Sequence, residues 1–325
     1  MTAIEQFDIF KWKEYLREKQ VESFYLIPEM REFYDANNNS KSCWVDIYKN
    51  EKLLGLALGE ITRQKWDFLG ISKRTVFYTE PSYNGDLAVL DALLKKIKRK
   101  AEGNFIQIRN SKNITAEERA LFEKNGFIYI DHLDAKISLK KKNEIWNSFE
   151  KDKKRGIRKA IEKYHLEIIE KSDQEGVVIF YSLMKALYNR KRHPFKSRSY
   201  FDNLLKSIGK DKVRIFFAYL GATPIATQLA VFHDQVVTAL YTATTPSHLD
   251  KKAGDFLVWH IINLGIDSGY HTFDFGGGGN PRKKYGPREY KKRFGCSFNN
   301  VGRFIYPRRK IYFVINKIYE KVLRG

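Results

Sequence analysis

The sequence predicts a mixed α/β protein of two tandem domains that share one architectural rhythm. The first observation is size and composition. The chain has 325 residues, 43% apolar and 14% aromatic, enough for two buried cores. The second is periodicity, since segments with the two-residue period of strands alternate with segments of helical period. The third is order. Each half reads as antiparallel strands, a helix, a strand, a helix and a strand, as mixed α/β layers do. The halves share no identity at fixed spacing, so the duplication is architectural. The boundary is expected at 133/134, giving domains 1–133 and 134–325, with no Pro/Gly/Ser linker at the join.

In the first half, a Lys- and Glu-rich helix is expected over about 8–20, and Asp35 to Ser40 is a loop by composition. Trp44 to Tyr48 reads as a strand, and Lys49 to Lys52 turns it into a second, Leu53 to Leu58. Thr75 to Tyr78 is a third. From Asp86 to Ala101 the period changes: Leu87, Val89, Leu90, Leu93, Leu94 and Ile97 form one apolar face opposite Lys95, Lys96, Lys98 and Lys100. Phe105 to Ile108 is again a strand. Thr115-Ala116-Glu117-Glu118 has capping-box spacing and opens a helix that stops near Gly126. Phe127 to Ile130 and Ala135 to Leu139 are strand-like.

In the second half, one strongly basic helix is expected from Trp146 to Tyr164, then strand Leu166 to Ile169. Ser172-Asp173 caps a helix to about Arg190. The loop Lys191 to Lys196 leads to a helix around Tyr200 to Ile208. Val213 to Tyr219, Ile225 to Phe232 and Val236 to Ala243 form a meander. A helix over about Asp255 to Ser268, strand Thr272 to Phe275, a glycine loop, a short helix, strand Gly302 to Tyr306 and a terminal helix Arg308 to Leu323 complete the chain.

Bulk chemistry narrows the function. The chain carries 59 basic and 38 acidic residues, a formal charge of +21, which attracts polyanions such as nucleic acid, nucleotide-linked substrates or an anionic membrane surface. Two cysteines without CxxC and seven scattered histidines without HExxH argue against a disulfide framework and a metal site. The first residues, Met1 to Phe7, lack signal-peptide features. No apolar run approaches the roughly 18–20 residues that span a bilayer. A cytoplasmic location is expected. Basic, aromatic Arg308 to Leu323 offers peripheral membrane contact, or more simply packs on a domain.

Four stretches resemble the FemAB-like family of the GNAT superfamily, over about residues 133–306. Lys154-Arg155-Gly156-Ile157-Arg158-Lys159-Ala160 is similar to the family's basic helix, R-x-IRKA. Arg192-His193-Pro194 with Tyr200-Phe201 resembles its loop between two helices, and Leu240-Tyr241-Thr242-Ala243 its strand before the cofactor-side loop. Most specific are Phe273-Asp274-Phe275-Gly276-Gly277 and Tyr290-Lys291-Lys292-Arg293-Phe294-Gly295, where the family reads YDFGG and FKxxFG. The resemblance implies two tandem GNAT-like acyltransferase domains and non-ribosomal aminoacyl transfer.

Acyl transfer to an amine passes through a tetrahedral oxyanion, so the site must hold both reactants and stabilise that charge. By resemblance, Lys291 faces the acyl donor; the plainer reading is a solvated lysine in the basic run Arg282 to Arg293. Asp274 is a candidate general base, or an ion-pair partner of the local cations. Gly276 and Gly277 permit close backbone approach. Tyr290, Arg293 and Phe294 are expected to shape the substrate site with Lys291, and Gln228, Tyr241 and Thr242 to face the substrate from the meander. Arg155, Arg158, Arg190, Arg192 and His193 are candidate phosphate readers, since arginine's planar fork suits phosphate oxygens. No GK[ST] follows the glycines, which excludes a P-loop.

CoA-dependent GNAT enzymes carry R/Q-x-x-G-x-G/A at a helix start, where amides bind pyrophosphate. Here the stretch is Lys251-Lys252-Ala253-Gly254-Asp255-Phe256. Lys251, Lys252 and Gly254 are expected to bind the donor, while Asp255 opposes phosphate and Phe256 fills a small-residue position. The donor expected is therefore aminoacyl-tRNA, the acceptor a nucleotide- or lipid-linked cell-envelope precursor, with no resident cofactor and no metal. Two alternatives stand beside this: an acyl-CoA-dependent N-acyltransferase, and a non-catalytic RNA-binding protein.

Overall fold

The computed structural model describes residues 7–63 and 72–308. They form two compact units, one running to His132 and resuming at Val301, the other spanning Leu133–Asn300. The expectation for Arg308 to Leu323 lies, Arg308 apart, outside the described residues, as do Met1 to Gln6.

The first unit opens with α1 (Ile9–Glu18), whose first-turn amides at Phe10 and Lys11 are accepted by Asp8 at 3.1 and 3.0 Å. Helix α2 (Pro28–Asp35) was not expected; Pro28 supplies the preset φ of a first helical position. Strands β1 (Ser40–Lys49) and β2 (Lys52–Thr62) form a hairpin whose turn residues, Asn50 and Glu51, have φ of 48° and 62°, the sense that suits twisted hairpins. Then come β3 (Arg74–Phe77), β4 (Ser82–Tyr83), α3 (Leu87–Lys100), β5 (Phe105–Arg109), α4 (Ala116–Lys124) and β6 (Ile128–Ile130). The apolar face of α3 is buried through Val89, Leu90, Leu93, Leu94 and Ile97, each contributing roughly 1.5–3 kcal/mol; Leu87, expected there, is exposed in the first turn. The capping box is present. Thr115 accepts the Glu118 amide at 3.1 Å, and the Glu118 carboxylate accepts the Thr115 amide at 2.7 Å.

The second unit contains β7 (Lys136–Ser138), α5 (Lys142–Ser148), α6 (Lys151–Arg158), β8 (Glu167–Glu170), α7 (Gln174–Arg190), α8 (Arg198–Ile208), β9 (Val213–Leu220), β10 (Thr223–His233), β11 (Val236–Thr244), α9 (Ala253–Asp267), β12 (Thr272–Asp274) and α10 (Gly286–Lys292). The single basic helix expected from Trp146 to Tyr164 is corrected to α5, α6 and one π-helical turn, Lys159–Lys163. The break falls at Phe149 and Glu150, both extended. Phe149 turns its ring into the core against Trp259 and Phe294, and the Glu150 amide donates to Arg293 O. Burial of a large ring outweighs helix continuity there.

The second sheet has the order β7-β12-β11-β10-β9-β8. The meander β9-β10-β11 is antiparallel, and β11 and β12 are parallel. A bulge places an extra residue, Leu240, in β11 opposite β10. It reverses which side chains face which helices. Before it, Val237 lies against Gly265 of α9; after it, Tyr241 meets Phe180 of α7 and Phe201 of α8 at ring separations of 6.3 and 5.2 Å.

Strand β13 (Arg303–Pro307) was expected with the second half. It instead pairs antiparallel with both β5 and β6, in a first sheet ordered β1-β2-β3-β5-β13-β6 with β4 on β2. The ring of Phe304 explains its place, stacked on Phe122 at 3.9 Å and fully buried.

Candidate active site

Strands β11 and β12 pair only over Val236–Thr238 and Thr272–Asp274. Beyond that point β11 runs on to Thr244, while the chain after Asp274 turns into the glycine loop. The mouth opened at these carboxyl ends holds the groups singled out in Phe273 to Gly277.

Three backbone oxygens surround the Lys291 ammonium. It donates to Phe275 O at 2.6 Å and Gly277 O at 2.9 Å, with Gly276 O at 3.3 Å. Burial pulls its pKa below 10.5, against the raising pull of Asp274. Lys291 is thus a half-buried ammonium that organises the loop, not a solvated one. Burial pushes the Asp274 carboxyl above 3.8, while Lys136, the Gly276 amide and Lys291 hold it down. Burial thus disfavours the charged form of both groups, as is common at functional sites.

The loop amides divide sharply. Gly276 N–H donates to the Asp274 carboxylate at 2.6 Å and Gly278 N–H to Leu133 O at 2.6 Å. The Gly277 amide has no partner among the described residues. Gly276 has φ of 72°, and a side chain there would be strained although the space beside it is open.

Behind this loop lies a cluster that local sequence patterns do not reveal. Lys153 of α6 donates to Asp255 of α9 at 2.7 Å, with side chains 5% and 11% exposed. Burial drives the pKa of the Tyr290 hydroxyl of α10 well above 10, and the Asp255 carboxylate raises it further. The Lys153 ammonium also stands 4.0 Å from the Tyr290 ring centre and 4.8 Å from that of Phe294. The expectation that Asp255 opposes phosphate at the start of α9 is therefore corrected: its carboxylate is turned inward and paired. Phe256 is half-buried against the core.

Arg155 and Arg158 are exposed on α6 without an ion pair among the described residues, Arg158 lying 5.7 Å from the Trp146 ring centre. Lys252, at φ 60°, sets its stem against Gly156 of α6, which brings the start of α9 beside the basic helix. Lys251 stands over the Tyr164 ring at 4.2 Å and pairs with Asp250 at 2.9 Å. Gly254 lies in the first turn of α9, where amides lack intrahelical acceptors. Arg293 is engaged with Glu150, at 3.2 Å, and with Asp152. Phe294 is fully buried. Arg190, Arg192 and His193 are exposed in the α7–α8 connection. That connection is pinned by Phe195, which packs on Tyr188, Phe201 and Tyr241 at 4.4, 5.3 and 6.3 Å. Tyr241 is half-buried there and Thr242 is exposed. Gln228 is 2% exposed, and its Oε1 is a buried acceptor without a partner among the described residues.

Residues 147–292 match the family model of the acetyltransferase (GNAT) domain. No curated protein matches the chain in sequence. Among solved structures, FemX superposes with a TM-score of 0.73 at 15% identity, over 95% of this chain and 98% of that one. The C-terminal domain of a putative lysylphosphatidylglycerol synthetase from Agrobacterium fabrum gives 0.58 at 10% identity, over 96% of each chain. A tandem GNAT protein from the clavulanic acid biosynthesis pathway gives 0.55 at 8% identity, over 94% and 95%. The tandem GNAT-like α/β fold and the FemAB-like resemblance read from the motifs are both borne out. Residues 147–292 are thus a domain that matches the acetyltransferase (GNAT) family model, in a chain that shares the fold of FemX over 95% of its length.

Proposed function

We propose that the protein transfers an aminoacyl group from aminoacyl-tRNA to an amine of a cell-envelope precursor of the peptidoglycan type. The observation that carries this reading is the loop at the mouth of β11 and β12, where Lys291, Asp274 and the free Gly277 amide converge. The acceptor nitrogen attacks the ester carbonyl of the donor. A C–N bond forms, the C–O bond to the ribose breaks, and the amine proton passes through Asp274 to the departing ribose oxygen. The Gly277 amide and the Lys291 charge stabilise the oxyanion, a contribution of about 10²–10³ in rate for a single good donor. Exposed Arg155, Arg158 and Lys252, with half-buried Lys251, beside the start of α9 supply phosphate contacts, and a net charge of +21 supports a polyanionic donor. The shared fold of FemX and the putative lysylphosphatidylglycerol synthetase supports aminoacyl transfer.

Acyl-CoA is the second donor reading, and one observation favours it. With Asp255 turned inward, no carboxylate of the first turn repels a pyrophosphate at α9. The test offers radiolabelled aminoacyl-tRNA and acetyl-CoA separately, with a UDP-linked muropeptide as acceptor. An alkali-stable amide product from tRNA alone is expected. Product from acetyl-CoA alone overturns the donor, and full activity of Lys291→Ala overturns the site.

A further inference from the structure

We propose that Gln228 reads the α-ammonium of the aminoacyl donor, its side-chain carbonyl accepting a hydrogen bond from that nitrogen at the mouth of β11 and β12. The proposal rests on the aminoacyl-tRNA reading and names a specificity residue for it.

Gln228 lies in the middle of β10, paired with Phe216 of β9 on one side and Thr242 of β11 on the other. Cross-strand partners share a face of the sheet. This row faces α9. The Phe216 ring stands 5.8 Å from that of His260, and the hydroxyl of Thr244, two residues past Thr242, lies 3.0 Å from where a side chain on Gly254 would begin. Phe216 and Gln228 are buried, and Thr242 is exposed. The row ends there, because β12 pairs with β11 no further than Asp274 opposite Thr238. Gln228 is therefore the last buried side chain of its row before the mouth.

Neither end of the Gln228 amide has a partner among the described residues; the oxygen is closed off, while the nitrogen keeps access to open space. An unbonded buried acceptor destabilises the fold until a donor reaches it. The last torsion of glutamine is broad and nearly two-fold, so the amide can turn either end toward the mouth at little cost. The surroundings select the end. In the reading above, the acyl carbonyl has the Gly277 amide and the Lys291 charge. The α-ammonium beside it carries donors only and needs an acceptor. Asp255 is engaged by Lys153 at 2.7 Å. Asp274 follows Phe273, a core residue on the α9 side, and so falls on the other face of the sheet. The other unbonded buried side-chain oxygen of this unit, Asn263 Oδ1, lies toward the far end of α9. The Gln228 carbonyl is the buried side-chain acceptor that remains on the donor's side of the mouth.

Gln228→Met keeps the length of the side chain and removes its amide. Because the parent buries an unbonded oxygen, the variant is expected to melt at least about 2 °C higher with no donor present. An unchanged or lower melting point shows the amide to be satisfied in the free protein and overturns the proposal. Transfer is then measured with bulk aminoacyl-tRNA and with the same preparation deaminated by nitrous acid, which exchanges the α-ammonium for a hydroxyl. The parent is expected to favour the untreated donor by about tenfold or more in kcat/KM. Gln228→Met should lose about 10–100-fold on the untreated donor and about threefold or less on the deaminated one. Equal losses on both, or an undiminished preference, overturn the proposal. Gln228→Leu repeats both measurements, so that the misfit of one shape is not mistaken for loss of the amide. If the parent transfers nothing from tRNA, the donor reading fails and takes this inference with it. An active parent and a variant that keeps the preference sink this inference alone.

Discussion

Lys291→Met separates an ammonium from its aliphatic stem, so its effect measures the carbonyl cage alone. The parent makes two short bonds, to Phe275 O at 2.6 Å and Gly277 O at 2.9 Å. Hydrogen bonds from a charged donor contribute about 1.5–3 kcal/mol each, roughly 3–6 kcal/mol for two. Desolvation of the ammonium, visible in its lowered pKa, offsets several kcal/mol of that. A net loss of about 2–3 kcal/mol is expected, or about 4–12 °C in the melting of a unit of this size. The loop should loosen before the sheet does. Amide exchange is the assay of choice, read on the peptide spanning 273–295, where Gly278 N–H is held by Leu133 O at 2.6 Å. Faster exchange there, with β9 and β10 unchanged, is expected, together with a kcat loss of about 10²–10³ in transfer assays. An unchanged melting point with unchanged exchange would refute the cage as the device that orders the loop.

Asp274→Asn tests the raised carboxyl. Because its folded pKa lies above 3.8, the proton-bound form stabilises the fold below that value, and the gain is lost as pH rises through the folded value. The stability gap should therefore move in the variant's favour as pH rises above the ordinary carboxylate value, measured by urea titration, while transfer falls. Cys296, with its thiol pushed up to about 12 by burial, should be alkylated about 10²–10³-fold more slowly at pH 8 than a free thiol, by mass spectrometry. Lys153→Met alone should destabilise by about 3–5 kcal/mol by leaving Asp255 buried and unpaired, and adding Asp255→Leu should return most of it, both read by urea unfolding. Thr115→Ala removes half of the capping box and should cost about 1 kcal/mol in the same measurement.

What was legible in the sequence depended on how local its cause was. The α3 face, the capping box at Thr115 and the Asp173 cap of α7 are set within a few residues, and all three stand as expected. The break at Phe149 was invisible because its cause is distant: a ring drawn to Trp259 and Phe294, and an amide taken by Arg293. The candidate site divides in the same way. The run Phe273 to Gly277 and Lys291 could be read as motifs, and the structure brings them together. Asp255 was read by its charge alone, which suggested repulsion of phosphate. Its partner Lys153 lies 102 residues away, and no spacing rule links the two. Phe195, which pins the loop of Arg192 and His193, was hidden for the same reason.

The position of β13 has a consequence for synthesis. Strand β6 finds its sheet partner in β13, and the residues between them are the whole second unit. As the chain leaves the ribosome, β5 and β6 emerge with a vacant lane between them, some 170 residues before the strand that fills it. The second unit, continuous in sequence, can close first. The first unit is then completed last, although it is begun first. A chain cut after residue 133 strands β6 with an open edge, a template for mispairing. Supplying Arg303–Pro307 on a short tether after β6 should give a first unit that folds alone, which turns the order of synthesis into a matter of engineering.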